Sequence, residues 1–140
     1  MGFSLNLGVT SNNVAEIEAI RQGLLLAWDL EFKFIHIEID SMIVLAWLTN
    51  ENSTLPPNVF PLLCDCRKLM AQARAVQMHH IYREANEYVD GLAKRRNHKQ
   101  QVLTIYDNCP TSVSSCYVTD MLGLGSNRLC VRQPAVVVDV

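Results

Sequence analysis

The sequence lacks any run of roughly 18 uncharged apolar residues, the length a membrane-spanning helix requires, and this excludes a helical span as its organising feature. The basic-then-apolar layout of a secretory signal is also missing from its first residues, so a soluble intracellular chain is expected, with nucleus and cytoplasm not distinguished. The five cysteines (Cys64, Cys66, Cys109, Cys116 and Cys130) are odd in number, and none forms the two-residue-gapped pairs that tetrahedral zinc sites favour. Reduced thiols are expected. There is no surplus of positive charge either: the formal net charge is −2. Any contact with a polyanion must therefore come from a local basic cluster or from bound metal ions. Repeats and low-complexity tracts are absent. What is present is a chain of 140 residues, 49% hydrophobic and 19% charged, which is one domain's length with a balance that excludes disorder throughout.

Along the chain, Phe3 to Leu7 alternates apolar and polar residues, the period of a short half-buried strand. Ser11, Asn12 and Asn13 offer capping side chains. After them Ile17, Ile20, Leu24, Ala27 and Trp28 recur at helical spacing, which predicts a helix from about Asn13 to Leu30. Phe34 to Ile39 reads as a strand broken only by His36 and Glu38, and Asp40-Ser41 then opens a second helix through about Thr49. Asn50 to Asn58, with Pro56-Pro57, is a loop. Val59 to Ala73 is a third helix, Val76 to Tyr82 a strand, and Ala85 to about Arg96 a fourth helix striped by Tyr88, Val89, Leu92 and Ala93. The order is β-α-β-α-α-β-α. Past Lys99 the periodicity fades into the apolar pieces Val102 to Tyr106, Tyr117 to Leu124 and Ala135 to Val140. This stretch is read as a tail that docks on the domain or mediates association.

Alternating strands and helices favour a layered α/β architecture, in which sites gather at the C-terminal ends of parallel strands. Asp40 sits at such an end. Taken singly it has a plainer reading, because an Asp opening a helix caps backbone amides more often than it catalyses. Glu16 and Asp90 have the same alternative, each lying near the start of a helix.

Three segments taken in order carry more weight: Ser11-Asn12-Asn13-Val14-Ala15-Glu16 at a helix start, Asp40-Ser41 after a strand, and the run from His80 to Ala93, which reads His-x-x-Arg-Glu-x-Asn-x-x-x-Asp-x-Leu-Ala. Together they resemble ribonuclease H, and most closely the plant reverse-transcriptase-like ribonuclease H type-1 domains, over about residues 3 to 98. The resemblance implies a three-layer α/β fold on a mixed sheet. It implies metal-dependent endonucleolytic cleavage of the RNA strand of an RNA–DNA hybrid. By resemblance Glu16, Asp40 and Asp90 carry over as the expected catalytic metal ligands, with Mg²⁺ as the expected cofactor and Mn²⁺ as the substitute ion. Hard oxygen ligands suit that ion, and such enzymes work with two ions about 3.5–4 Å apart. Glu18, about 200° around the helix from Glu16, faces away.

By the same resemblance, Asn12 and Asn13 lie along the minor groove of the hybrid, with Ser41, Arg83 and Asn86 as further nucleic-acid-contacting positions. Helix capping explains either asparagine equally well. Met42 stands where bacterial members have a Gln that holds the hybrid, which implies a weaker grip. The short Tyr82-Arg83-Glu84-Ala85 turn lacks the mobile histidine of those enzymes, leaving Arg83 or Glu84 to assist product release. His80 reads as a hydrogen-bonded strand histidine, with His79 on the opposite face. Lys94, Arg95, Arg96 and Lys99 end the last helix, where cations suit the helix dipole. Arg67, Lys68 and Arg74 are thinly spread and form no basic handle.

The family's sheet runs 3-2-1-4-5, and its first strand bears a catalytic Asp. This sequence matches from the third strand, so the expected domain is 1–98 without the first two strands, followed by a tail, 99–140, partly ordered at best. An open edge beside Phe34 to Ile39 is expected, inviting self-association unless Phe3 to Leu7 slides in to cover it. Three functions compete: the hybrid ribonuclease of the family, weak or inactive in this chain alone for want of the first Asp; a catalytically dead nucleic-acid-binding remnant of a retroelement-derived gene; and a protein-interaction module.

Overall fold

The computed structural model describes residues 2–5, 7, 9–50, 53–82, 103–108, 111, 114, 115, 118 and 136–139. The expected fourth helix lies outside these residues, as do Arg83, Asn86, Asp90 and the basic cluster from Lys94 to Lys99. The chain groups into two compact units, residues 1–9 with 82–132 and residues 10–81 with 133–140. In the first, β1 (Gly2–Leu5) pairs antiparallel with β4 (Leu103–Tyr106), Phe3 opposite Ile105 and Leu5 opposite Leu103.

The second unit contains α1 (Asn12–Asp29), β2 (Phe34–Ile39), α2 (Met42–Thr49), α3 (Phe60–Gln72), β3 (Ala75–His80) and β5 (Val136–Asp139). Its sheet has the order β3-β2-β5 and is parallel throughout. β2 alternates strictly, burying Ile35, Ile37 and Ile39 and leaving His36 and Glu38 on the other face. The buried isoleucines join Ile17, Ile20, Leu24 and Ala27 of α1, Val44 and Leu48 of α2, and Val59, Leu63 and Cys66 at α3 in one core. Each such full burial is worth about 1.5–3 kcal/mol, so the α1, α2 and α3 layer is fixed on this face of the sheet.

The local signals decide where elements stop. Ser11 caps α1, its Oγ accepting from the Val14 amide at 3.3 Å. At the other end Glu31 adopts φ 59°, and the Glu31 and Phe32 amides donate to the carbonyls of Trp28 and Ala27, both at 2.9 Å. This is the reverse turn that closes a helix through a left-handed residue. Trp28, expected on the buried face, is exposed at this terminus with the Lys33 ammonium 5.3 Å above its ring. α3 starts without a side-chain cap, and Pro61 in its first turn removes one amide that would otherwise need a partner.

One expectation is overturned. Phe3 does not slide beside Phe34 to Ile39, because β1 spends its pairing on β4. The edge of β2 expected to stand open is instead paired with β5, with Ile35 level with Val136 and Glu38 level with Asp139. The opening through which self-association was expected is thus filled by the chain's own Val136–Asp139.

Candidate functional site

Because β3, β2 and β5 run parallel and in register, their C-terminal ends lie at one end of the sheet. This is where parallel α/β sheets place their sites. Asp40 follows β2 there and is half-buried. The helix that begins after it is capped by Ser41, whose Oγ accepts from the Val44 amide at 3.2 Å. Capping therefore does not account for Asp40. The backbone of Asp40 is itself held, since its carbonyl lies 3.2 Å from Nε2 of His80 at the end of β3. The Ile81 amide donates to the Ile39 carbonyl at 2.9 Å and locks the same two strand ends together.

Glu16 arrives from the second turn of α1. The first turn of that helix holds no acidic residue, so Glu16 does not serve its own helix terminus. Its Oε1 accepts from the Ser41 backbone amide at 3.2 Å, which carries the carboxylate across to the Asp40-Ser41 corner and the positive end of α2. Of the three carboxylates expected to act, the structure thus carries Glu16 to the backbone amide of Ser41, the residue that follows Asp40. The third, Asp90, lies outside the described residues.

Among the described side chains, no three His, Cys, Asp or Glu converge closely enough to hold an ion. Glu16 and Asp40 both offer oxygen donors, the chemistry of a hard divalent cation such as Mg²⁺ and not of a thiolate metal. The donor set fits the ion that the sequence implies. Asn12 and Asn13 occupy the first turn of α1 as helical residues, Asn12 exposed and Asn13 half-buried. Since Ser11 makes the cap, the capping explanation is withdrawn for both. Met42 and Ile43 are 61% and 54% exposed directly after Ser41, giving the rim an apolar patch where a Gln would have offered hydrogen bonds.

Glu18 behaves differently. It is buried, accepts from Arg21 Nη2 at 2.6 Å and Nε at 2.9 Å, and takes a third bond from Gln22 at 2.9 Å. Burial pushes its carboxyl up, but the Arg21 and Gln22 hydrogen bonds with the Arg21 charge outweigh this and hold it below the ordinary carboxylate value. Cys66 is wholly buried, and burial pushes its thiol up to about 12. It is inert, its Sγ facing the Ile17 carbonyl at 3.7 Å, and both Cys64 and Cys66 are unpaired thiols.

Two of the scattered basic residues, Arg67 and Arg74, are engaged within the protein. Arg67 Nη2 donates to the Trp47 carbonyl at 2.7 Å and to the Asn50 carbonyl at 3.3 Å, closing the C-terminus of α2. Arg74 lies over the Phe34 ring at 5.7 Å. Sequence reasoning missed the bond from His80 to the Asp40 carbonyl and, though it offered docking of the tail, the pairing of β5 with β2. Two adjacent histidines at a strand end hinted at the first. Four apolar or β-branched residues in Ala135 to Val138 hinted at the second, with nothing to name their partner.

Residues 3–96 match the reverse transcriptase-like family. A protein of Arabidopsis thaliana named as a ribonuclease H protein is 33% identical over 122 residues, 87% of this chain, which spans 20% of that relative's length. Among solved structures, ribonuclease H1 from the archaeon Halobacterium salinarum superposes with a TM-score of 0.59 at 31% identity, covering 63% of this chain and 67% of that one. The N-terminal ribonuclease H domain of Rv2228c from Mycobacterium tuberculosis gives 0.59 at 27% identity, covering 63% of each. Among the described residues, no helix is long and apolar enough to cross a membrane.

Proposed function

The chain belongs to the reverse transcriptase-like family and has a ribonuclease H-like α/β fold, and from that premise we propose that it binds RNA–DNA hybrids and cuts their RNA strand endonucleolytically with Mg²⁺, or Mn²⁺ in its place. The supporting observation is the meeting of Glu16 with the Asp40-Ser41 corner, since that corner has its own cap in Ser41 and does not need either carboxylate for helix stability. Glu16, Asp40 and Asp90 would hold the ion. When bound, it supplies Lewis-acid activation of a water and neutralises charge at the leaving 3′ oxygen.

The protein's own groups do the positioning. The Ser41 amide fixes the Glu16 carboxylate, and His80 fixes the backbone that carries Asp40. By the family resemblance Asn12, Asn13, Ser41, Arg83 and Asn86 would contact the minor-groove edges and 2′-hydroxyls of an A-like hybrid. The apolar Met42 makes this grip weaker than one with an amide at the same place. The proposal is checked by incubating the chain, and its Asp40→Asn variant, with labelled hybrid in Mg²⁺ and in Mn²⁺. RNA cut by the first and spared by the second is the expected result. Salt-dependent binding without cutting by either protein would instead support a catalytically dead nucleic-acid-binding remnant of a retroelement-derived gene. Concentration-dependent dimers that ignore hybrid would support an interaction module.

A further inference from the structure

We propose that His36 and His79, which meet on the face of the sheet turned away from the α1, α2 and α3 core, bind a divalent transition ion of the Zn²⁺ class. The pair is made of residues that the nuclease reading does not use, and it stands or falls independently of that reading.

The register brings the two rings together. β2 buries its odd-numbered isoleucines, so His36 and Glu38 emerge on the other face. On β3, Val76 and Met78 pack against the core, which leaves Gln77 and His79 on that same other face. Gln77 is level with His36 and His79 with Glu38, so the two histidines are diagonal neighbours across adjacent strands. Their ring centres lie 4.6 Å apart with the planes at 74°. Two imidazoles sharing one ion at about 2.0–2.1 Å from each nitrogen, with tetrahedral to right-angled geometry, have ring centres about 4.5–5.2 Å apart. The observed spacing falls in that range. Only a turn of a ring about its outer torsion, which is broad for histidine, separates the present contact from two nitrogens aimed at one ion.

A second observation points to a ligand. Nε2 of His36 is buried and has no hydrogen-bond partner. Buried polar atoms left so are uncommon in folded proteins. The neighbouring ring face can receive an N–H weakly, but it offers nothing to a nitrogen lone pair, which a cation takes. His79 is exposed and gives the ion a way in. Imidazole suits Zn²⁺, Cu²⁺ and Ni²⁺, whereas Mg²⁺ prefers oxygen, so ion type separates this pair from Glu16 and Asp40. Because no third His, Cys, Asp or Glu converges here among the described residues, water completes the coordination. A bound ion bridges β2 to β3, the strands whose ends carry Asp40 and His80, and stabilises the folded chain by mass action.

The test uses the full chain and Zn²⁺ as the probe, titrated calorimetrically in excess Mg²⁺ and followed by Tm. Wild type, His36→Gln, His79→Gln, Asp40→Asn and the control His98→Gln are compared after circular dichroism shows that each is folded. His79 is exposed, so its variant tests the pair even if His36→Gln fails to fold. The expected result is that Zn²⁺ binds wild type and raises its Tm by a few degrees. His36→Gln and His79→Gln each weaken that binding about 10-fold or more, while Asp40→Asn and His98→Gln bind as wild type does. Cu²⁺ in place of Zn²⁺ should show coupling to two imidazole nitrogens in electron paramagnetic resonance. Wild-type affinity in His79→Gln, or no Zn²⁺ binding by wild type, would reduce the pair to a packing contact. Loss of binding in Asp40→Asn would place the ion at the carboxylates and overturn the pair as well. None of these outcomes decides hybrid cleavage, which the Asp40→Asn assay above reads separately.

Discussion

Glu16 and Glu18 are two residues apart on one helix and meet opposite surroundings. Glu18 turns into the interior and is enclosed by a guanidinium fork and an amide, so its charge is satisfied within α1 itself. Glu16 leaves its helix and crosses to the amide of Ser41, 25 positions along the chain, at the end of the sheet. The difference separates two uses of a carboxylate. A charge surrounded by its own helix's donors stabilises the fold, whereas a charge carried across to a strand end stands where parallel sheets place their sites. Geometry of this kind distinguishes an acid that serves its own helix from one carried to a strand end, where residue type does not.

The strongest way to break the comparison is to neutralise each acid in turn. Glu16→Gln preserves an oxygen to accept from Ser41 while removing the charge. Stability is expected to change by less than about 1 kcal/mol, while hybrid cleavage falls by about 10²-fold or more, beyond the loss usual for outer partners of a metal site. A Glu16→Gln protein that cuts hybrid at the wild-type rate would remove Glu16 from the site.

Glu18→Gln should do the reverse, losing about 1–2 kcal/mol of stability in urea denaturation as the charge-assisted fork is weakened, with Mn²⁺ binding unchanged. The loss has a pH signature. The folded Glu18 carboxyl lies below its ordinary value of 4.5, so the fork's contribution is fully present above that value and is lost as pH falls through the lower folded one. The wild-type advantage should therefore hold steady from pH 7 to about 5 and shrink in more acid solution. An advantage that grows on acidification would contradict the assignment.

These two acids also mark what could be read without coordinates. The opposite facing of Glu16 and Glu18 follows from helical geometry alone, and the stripe Ile17, Ile20, Leu24 and Ala27 locates the buried face of α1 as observed. β2 was legible for the same reason, as was the placing of Asp40 at its end. The cap was not legible, because Asp40 and Ser41 are both capping residue types and only the Ser41 to Val44 bond chooses between them. Nor were the strand partners. Phe3 to Leu7 and Ala135 to Val140 show a strand's composition, but pairing is set by contacts remote in sequence, and alternation carries no address. The choice of β4 by β1, and of β5 by β2, is therefore a property of the folded chain.

The smallest expected effect lies at the other end of α1, away from both acids. Glu31 takes a φ of 59° to close the helix, and its amide and that of Phe32 satisfy the carbonyls of Trp28 and Ala27. A side chain in that region meets its own backbone, a cost that glycine avoids. Glycine is also the residue usually found there. Glu31→Gly relieves the clash but gains flexibility in the unfolded chain, so the net stabilisation should be about 0.5–1 kcal/mol. It should appear as a rise of a few degrees in Tm with no change in Mn²⁺ binding. A fall in Tm would show that the Glu31 side chain contributes more than its backbone strain costs, and would extend the structural use of acids along α1 from Glu18 to the residues that close the helix.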